Sequence, residues 1–223
     1  GKLMTTGTNN ALLGHNSGTA ITTGGSNTIV GASAGTGMTT GTFNTAFGVN
    51  ALQAEDTHSG NTAVGASALL IQNAGVDAYN VAVGLDAGKI ISTGAQNTTV
   101  GSFSLGATGN VTTGNNNSAF GMYALNNITS GANNTAIGHS AMKTGITTGA
   151  SNVAVGYATG NAITAGQKNS LLGTSAGELL TIGNNNVAIG YEALAASVDG
   201  DNNVAVGFSA LKNYEDGDGN GNN

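Results

Sequence analysis

Three histidines are the first residues to weigh for catalysis or metal binding. His15 and His139 each follow a glycine directly, whereas His58 lies in a polar segment typical of a turn. A metal centre or a general base needs partner side chains clustered around it. His15 and His139 fill one variable position of a repeated motif, which indicates surface side chains. No nucleophile–base pair or phosphate loop is present either, so we expect neither an enzyme nor a cofactor.

A short acidic run near the C-terminus is the one candidate for metal binding. Residues 216–221 read Asp-Gly-Asp-Gly-Asn-Gly. The oxygen-bearing Asp216, Asp218 and Asn220 stand at alternate positions with a glycine at the sixth, as in the first half of a calcium loop. The interpretation we favour is a turn of a further repeat followed by a frayed end.

Aromatic and threonine side chains offer two kinds of ligand contact. Tyr157, Tyr191 and Phe208 each follow a repeated glycine, and rings in that position could stack on sugars of a host-surface glycan. Thr-Thr pairs, such as Thr22-Thr23, could form a flat ladder suited to ice or carbohydrate. Because that ladder is interrupted at Asp56 and elsewhere, we favour a strand-to-turn role for these threonines.

A repeat with a period of about 17 residues positions all of these side chains. Its pattern is Asn, three residues suited to a strand, Gly, two variable residues, a small residue, then Leu, Met or Gly. The pattern starts at Asn10, Asn27, Asn44, Asn61, Asn80, Asn97, Asn117, Asn134, Asn152, Asn169, Asn186 and Asn203. The spacing is constant except for three steps, whose few extra residues fall in the polar half. A fixed period of this kind is typical of a solenoid.

The three residues after each Asn predict a short strand. The third is large and apolar in all twelve copies, the second is usually Ala, and the first is β-branched or small. The first and third side chains share one face of a strand and the Ala occupies the other. A lone coil needs to bury only its inner face. A small residue repeated on the second face therefore predicts that another backbone approaches there, which favours an oligomer.

The composition limits the classes of function. Only 7% of residues are charged, the net charge is −6, and five Lys and Arg residues are too few for a nucleic-acid groove. No apolar run approaches the length of roughly 18 residues that a membrane span needs. We expect one elongated domain over residues 1–215, with 216–223 as the start of a further repeat or a frayed end. Because the chain begins and ends inside a repeat, we also expect a piece of a longer protein.

The motifs Asn-Thr-Ala-Val-Gly-Ala-Ser-Ala-Leu at 61–69 and Asn-Val-Ala-Ile-Gly-Tyr-Glu-Ala-Leu at 186–194 support a resemblance. They resemble repeats of phage and bacterial surface fibres, and are similar to the head repeats of trimeric autotransporter adhesins. The resemblance implies a trimeric fibre that is extracellular, on a cell surface or on a virion. The coil of the adhesin heads is usually shorter than the repeat of this chain.

We therefore expect an all-β parallel β-solenoid or β-roll of about twelve coils, forming an intertwined or side-by-side homotrimer. Stacked at about 4.8 Å per coil, it would be a rod on the order of 60 Å long. Its expected function is the shaft or head of an attachment fibre such as an adhesin or tail fibre. The alternatives are a glycan-binding adhesin module, a self-assembling extracellular filament subunit, and a monomeric ice-binding solenoid.

Overall fold

The computed structural model describes residues 2–106, 111–145 and 147–214. Within these ranges each repeat forms one coil with a single three-residue strand, and coils 1 to 12 begin at the twelve asparagines of the pattern. The strands are β1 (Ala11–Leu13), β2 (Thr28–Val30), β3 (Thr45–Phe47), β4 (Thr62–Val64), β5 (Val81–Val83), β6 (Thr98–Val100), β7 (Ser118–Phe120), β8 (Thr135–Ile137), β9 (Val153–Val155), β10 (Ser170–Leu172), β11 (Val187–Ile189) and β12 (Val204–Val206). Each strand falls on the predicted triplet.

The strands form one parallel sheet in sequence order from β1 to β12. Equivalent positions pair throughout, as with Ala46 and Ala63 in adjacent coils. The longer repeats keep this register, since Thr62 pairs with Val81 across one of them and Thr98 pairs with Ser118 across another. The extra residues therefore lie outside the strands, as expected. The prediction of a parallel β-solenoid is confirmed, and no helix long and apolar enough to cross a membrane occurs in the described residues.

The alanine face of the sheet lies inside the coil, whereas we expected it to lie outside. The strand-centre alanines, such as Ala46 and Ala136, are fully buried inside the coil. The third strand residues point outward instead, and Leu13 and Phe47 are 69% and 56% exposed. The expectation that the alanine face meets another backbone was wrong. The alanines are small because other side chains of the same coil already fill the narrow interior opposite them.

In many coils those other side chains come from positions 8 and 11 after the Asn, as Leu52 and Ile21 do. Position 8 is Leu or Met in seven coils: Leu52, Leu69, Leu105, Leu125, Met142, Leu194 and Leu211. Where the strand centre is itself large, position 8 is Gly, as with Ile29 and Gly35 or Leu171 and Gly177. A Cβ on Gly177 would lie only 3.0 Å from Leu171 Cδ1. The strand centre and position 8 of one coil thus contribute no more than one large side chain to the interior, because close packing leaves no room for both.

The glycine after each strand forms a corner of the coil. Gly14 has a φ of 134°, which side chains disfavour. A Cβ there would lie 2.6 Å from the carbonyl oxygen of Gly31, the corner of the next coil. Stacked corners therefore approach too closely for any other residue.

A ladder of buried asparagines runs through the whole stack. Each Asn Oδ1 accepts a hydrogen bond from the backbone N–H of the next Asn, as Asn152 does from Asn169 at 3.0 Å. All eleven steps between adjacent coils have this bond. In most coils Asn Nδ2 also donates to the carbonyl of the glycine just before the next Asn, as from Asn152 to Gly166 at 2.8 Å. Oδ1 therefore joins each coil to the next rung, and Nδ2 holds the segment of the same coil that leads into that rung.

Candidate functional site

A column of rings on the outer surface is the most distinctive cluster of side chains. The rings of Phe103 and Tyr123 stack with centroids 5.4 Å apart, Tyr123 meets His139 edge-on at 5.9 Å, and His139 stacks on Tyr157 at 5.5 Å. Lys143 Nζ lies 4.6 Å from the Tyr123 ring centroid. The column thus spans coils 6 to 9 and has one cation over an aromatic face.

A second, shorter column contains Tyr191 and Phe208, whose rings stack at 5.3 Å with an interplanar angle of 9°. Both columns are formed by positions 5 and 6, which directly follow the corner glycine in each coil. Equivalent positions of adjacent coils lie about 4.8 Å apart, which is close to the distance at which aromatic rings stack. Thr174 occupies position 5 in coil 10, so the two columns are separate.

All three aromatic residues that we predicted to face a ligand are exposed: Tyr157 is 58%, Tyr191 47% and Phe208 79% accessible. Only Tyr191 and Phe208 contact each other, whereas Tyr157 belongs to the longer column. Stacking between neighbours covers ring faces, so a ligand in the middle of a column would meet ring edges. Whether any of these residues binds a ligand stays a prediction.

Sequence reasoning missed the other members of the longer column. His139 was interpreted as an isolated surface residue, and Phe103 and Tyr123 stand at position 6, one residue beyond the position of the three predicted rings. The signal was present in the sequence, because aromatic residues recur at positions 5 and 6 in consecutive coils. The other histidine of position 5, His15, is exposed in coil 1.

A buried polar cluster takes the place of an aliphatic side chain at position 11 of coil 3. Glu55 is fully buried, and its Oε1 accepts hydrogen bonds from His58 Nδ1 at 2.7 Å and from the backbone N–H groups of His58 and Asp56. Burial raises the pKa of Glu55 above its usual 4.5, and the hydrogen bonds from His58 and Asp56 oppose that rise. The same position 11 is aliphatic in several other coils, as at Ile21 and Ile163.

The hydroxyl of Thr57 completes a carboxylate–imidazole–hydroxyl series, since Thr57 Oγ1 lies 3.1 Å from His58 Nε2. These three residue types can activate a nucleophile when a substrate site adjoins them. Here all three side chains belong to one turn, and the carboxylate satisfies N–H groups of that same turn. We therefore assign the cluster a structural role within this turn of the coil.

A shallow polar depression of about 270 Å³ lies among Gln167, Lys168, Asn184, Asn185 and Asp201. Asp201 Oδ1 accepts hydrogen bonds from the backbone N–H and Nδ2 of Asn184 at 2.6 and 3.1 Å. Asn184 Oδ1 accepts one from the backbone N–H of Gln167 at 3.0 Å. These polar groups are thus engaged in joining neighbouring coils.

No group of three or more His, Cys, Asp or Glu side chains that could hold a metal ion occurs in the described part of the chain. The calcium candidate Asp216, Asp218 and Asn220 lies outside the described residues. It therefore stays a prediction, as does the expectation that the protein is not an enzyme.

Comparison with known proteins found no matching family model, no matching curated protein and no matching solved structure.

Proposed function

We propose that this chain is a structural segment, either shaft or head, of a homotrimeric fibre used for attachment to a host or surface. The fibre would be extracellular, on a cell surface or on a virion. The observation that supports the proposal is the uninterrupted stack. One sheet and one asparagine ladder join all twelve described coils, from β1 to β12.

The mechanism of such a segment is mechanical. Each coil is hydrogen-bonded to its neighbours through the sheet, the Asn side chains and the second half of the coil, as from Thr22 N to Thr39 O at 2.9 Å. In a solenoid, stability is the sum of each coil and its interfaces, so neighbouring coils hold one another in place. A stiff rod on the order of 60 Å long would keep a binding surface away from its base.

Light scattering coupled to size exclusion tests the homotrimer directly. We expect a mass of three chains, each of 21.6 kDa. Electron micrographs should show discrete rods with a length of about 60 Å, as the stacking distance of the coils requires. A single-chain mass would contradict the homotrimer. Micrographs dominated by much longer threads would support the alternative of a self-assembling filament instead.

A second candidate function is glycan binding, favoured by the two exposed ring columns. Aromatic rings contact sugars through their faces and edges, and Lys143 adds a hydrogen-bond donor beside the longer column. We expect binding on a glycan array to weaken on Tyr157→Ala or Phe208→Ala. The matched control is His15→Ala, which removes an exposed ring at the same coil position outside both columns. Binding that is absent, or unchanged in both column variants, would dismiss this function.

The ice-binding alternative is less well supported by the threonines. Thr22 Oγ1 donates to the carbonyl of Thr39 at 3.2 Å, and Thr164 and Thr181 repeat this contact with the coils that follow them. Each of these hydroxyl donors is therefore used inside the chain, which leaves fewer groups to order water. A measurement of thermal hysteresis decides the point, and we expect none.

A further inference from the structure

The outward face of the twelve-stranded sheet is a continuous surface without charge. It consists of the first and third residues of every strand. The third residues are Leu13, Val30, Phe47, Val64, Val83, Val100, Phe120, Ile137, Val155, Leu172, Ile189 and Val206. The first residues are Ala, Thr, Ser or Val, and none of these outward side chains carries a charge. We call this surface the outer sheet face.

Much of the outer sheet face is open to solvent in the single chain. Leu172 is 49% exposed, and Ile137 and Phe120 are 41% and 39% exposed. Parallel sheets are almost always covered on both faces, and here the coil interior covers only one. Large exposed apolar patches on soluble proteins generally mark sites of interaction.

The flat area of the outer sheet face reaches the lower end of the range for stable interfaces. Twelve strands extend over about 58 Å, and three residues of strand span about 10 Å, so the flat footprint is about 600 Å². A standard interface buries about 800 Å² on each partner. Exposed apolar residues just past the corner in coils outside the two ring columns, such as Val49 and Leu85, extend the apolar surface beyond this footprint.

We propose that the outer sheet face is the surface through which copies of this chain associate, with their coils in register. This inference rests on the homotrimer proposed above and identifies its contact surface. The period of the face identifies the partner, because the face repeats once per coil and only a partner with the same rise per coil can match every rung. A second copy of this chain has the same rise.

Charge supports the same partner. The chain has a net charge of −6, which would repel a second copy over most approaches. Every acidic residue of the described chain lies off the outer sheet face, as Asp86 and Glu192 do at position 6 and Asp201 in the polar half. Two copies that meet on this face therefore bury apolar side chains without bringing charges together.

A charge-insertion experiment tests the surface. In the variant Phe47→Arg/Ile137→Arg, arginines replace two outward side chains five coils apart. We expect its mass by light scattering to fall from three chains to one, with an unchanged β-sheet circular dichroism spectrum. The matched control Val76→Arg/Leu179→Arg adds the same charges at exposed apolar positions off the sheet (61% and 50% exposed) and should keep three chains.

A cysteine variant keeps the test decisive if the arginine variant fails to fold. The chain contains no cysteine, so Ile137→Cys introduces a single thiol at one height of the rod. If copies meet in register on this face, oxidation should give a disulfide-linked two-chain band, whereas Leu179→Cys should not. A three-chain wild type whose Ile137→Cys variant stays uncrosslinked would overturn the surface and leave the homotrimer standing. A single-chain wild type would overturn both.

Discussion

Coil 3 (residues 44–60) and coil 10 (residues 169–185) follow almost the same path but are filled differently. Their corner glycines, Gly48 and Gly173, have φ of 144° and 133°, and Leu52 and Gly177 at position 8 have 52° and 57°. Both strands pair in register within the same sheet. The backbone path is therefore set by features that the two coils share, and the interior side chains adapt to it.

The interiors differ at three positions. Coil 3 contains Ala46 at the strand centre, Leu52 at position 8 and the buried Glu55 at position 11, whereas coil 10 has Leu171, Gly177 and Leu180. At position 11, coil 10 thus has an aliphatic side chain and coil 3 has a carboxylate. The comparison indicates that the asparagine ladder and the corner glycines define the coil, and that interior volume can be redistributed.

The largest effect should come from placing the carboxylate of coil 3 at the equivalent position 11 of coil 10. Leu180→Glu buries a carboxylate there without the partner that His58 supplies in coil 3. An unpaired buried charge costs on the order of 4 kcal/mol, so we expect a large fall in the free energy of unfolding. Urea denaturation at fixed protein concentration measures it, with Leu180→Met as the control of similar volume. A loss no greater than that of the Met control would show that water reaches the introduced carboxylate.

A smaller effect should follow from exchanging the two ways of filling a coil. Leu171→Ala leaves a cavity and should cost about 2–5 kcal/mol. Adding Gly177→Leu should restore most of that loss, because the double variant has the Ala and Leu arrangement of coil 3. Gly177→Leu alone should destabilise through its contact with Leu171. A double variant no more stable than Leu171→Ala would refute the exchange of volume between the two positions.

The asparagine rung should matter more in the aliphatic coil. Asn169 accepts from the backbone of Asn186 and donates to Gly183 O at 2.8 Å. Asn61, which contacts the buried carboxylate of coil 3, accepts from Asn80 and donates to Glu55 Oε2 at a longer 3.4 Å. Each buried group left unpaired costs about 1–3 kcal/mol. We therefore expect Asn169→Ala to lower the thermal midpoint more than Asn61→Ala, and equal losses would contradict this difference.

The smallest expected effect is a pH dependence of coil 3. Because burial raises the pKa of Glu55, its contribution to stability is fully present below the unfolded value of about 4.5 and is lost as pH rises through the folded pKa. Wild type should therefore lose more stability than Glu55→Gln between mild acid and neutral pH. Thermal midpoints of the two proteins across that range measure the difference. Glu178→Gln in coil 10, a half-buried residue with the same charge change, should not reproduce it.

Much of the fold followed from the sequence by direct physical argument. The constant period, the β-branched triplet and the glycine after it predicted one short parallel strand per coil, with insertions in the polar half. The residue type alone allows each repeated Asn to bond either its own turn or the next coil. The structure shows bonds to the next coil, because stacking brings the following backbone N–H within reach of each Oδ1.

The candidate sites were harder to predict from the sequence than the fold. Tyr157, Tyr191 and Phe208 were correctly placed at the surface, but the column through Phe103 and Tyr123 depends on how neighbouring coils align. The partnership of Glu55 and His58 depends likewise on the local turn. Such contacts arise between side chains whose directions are set by backbone angles, and the residue types alone do not specify those angles.

By itself, the sequence determined the period, the strand triplet and the need for glycine at the corner, since these depend on local backbone preferences. Only the tertiary structure decided which strand face is inside. Both faces are apolar, so alternation alone could not distinguish them. Once Leu52 and its equivalents fill the interior from the opposite side, space remains only for alanine, and the larger Phe47 and Ile137 must point outward.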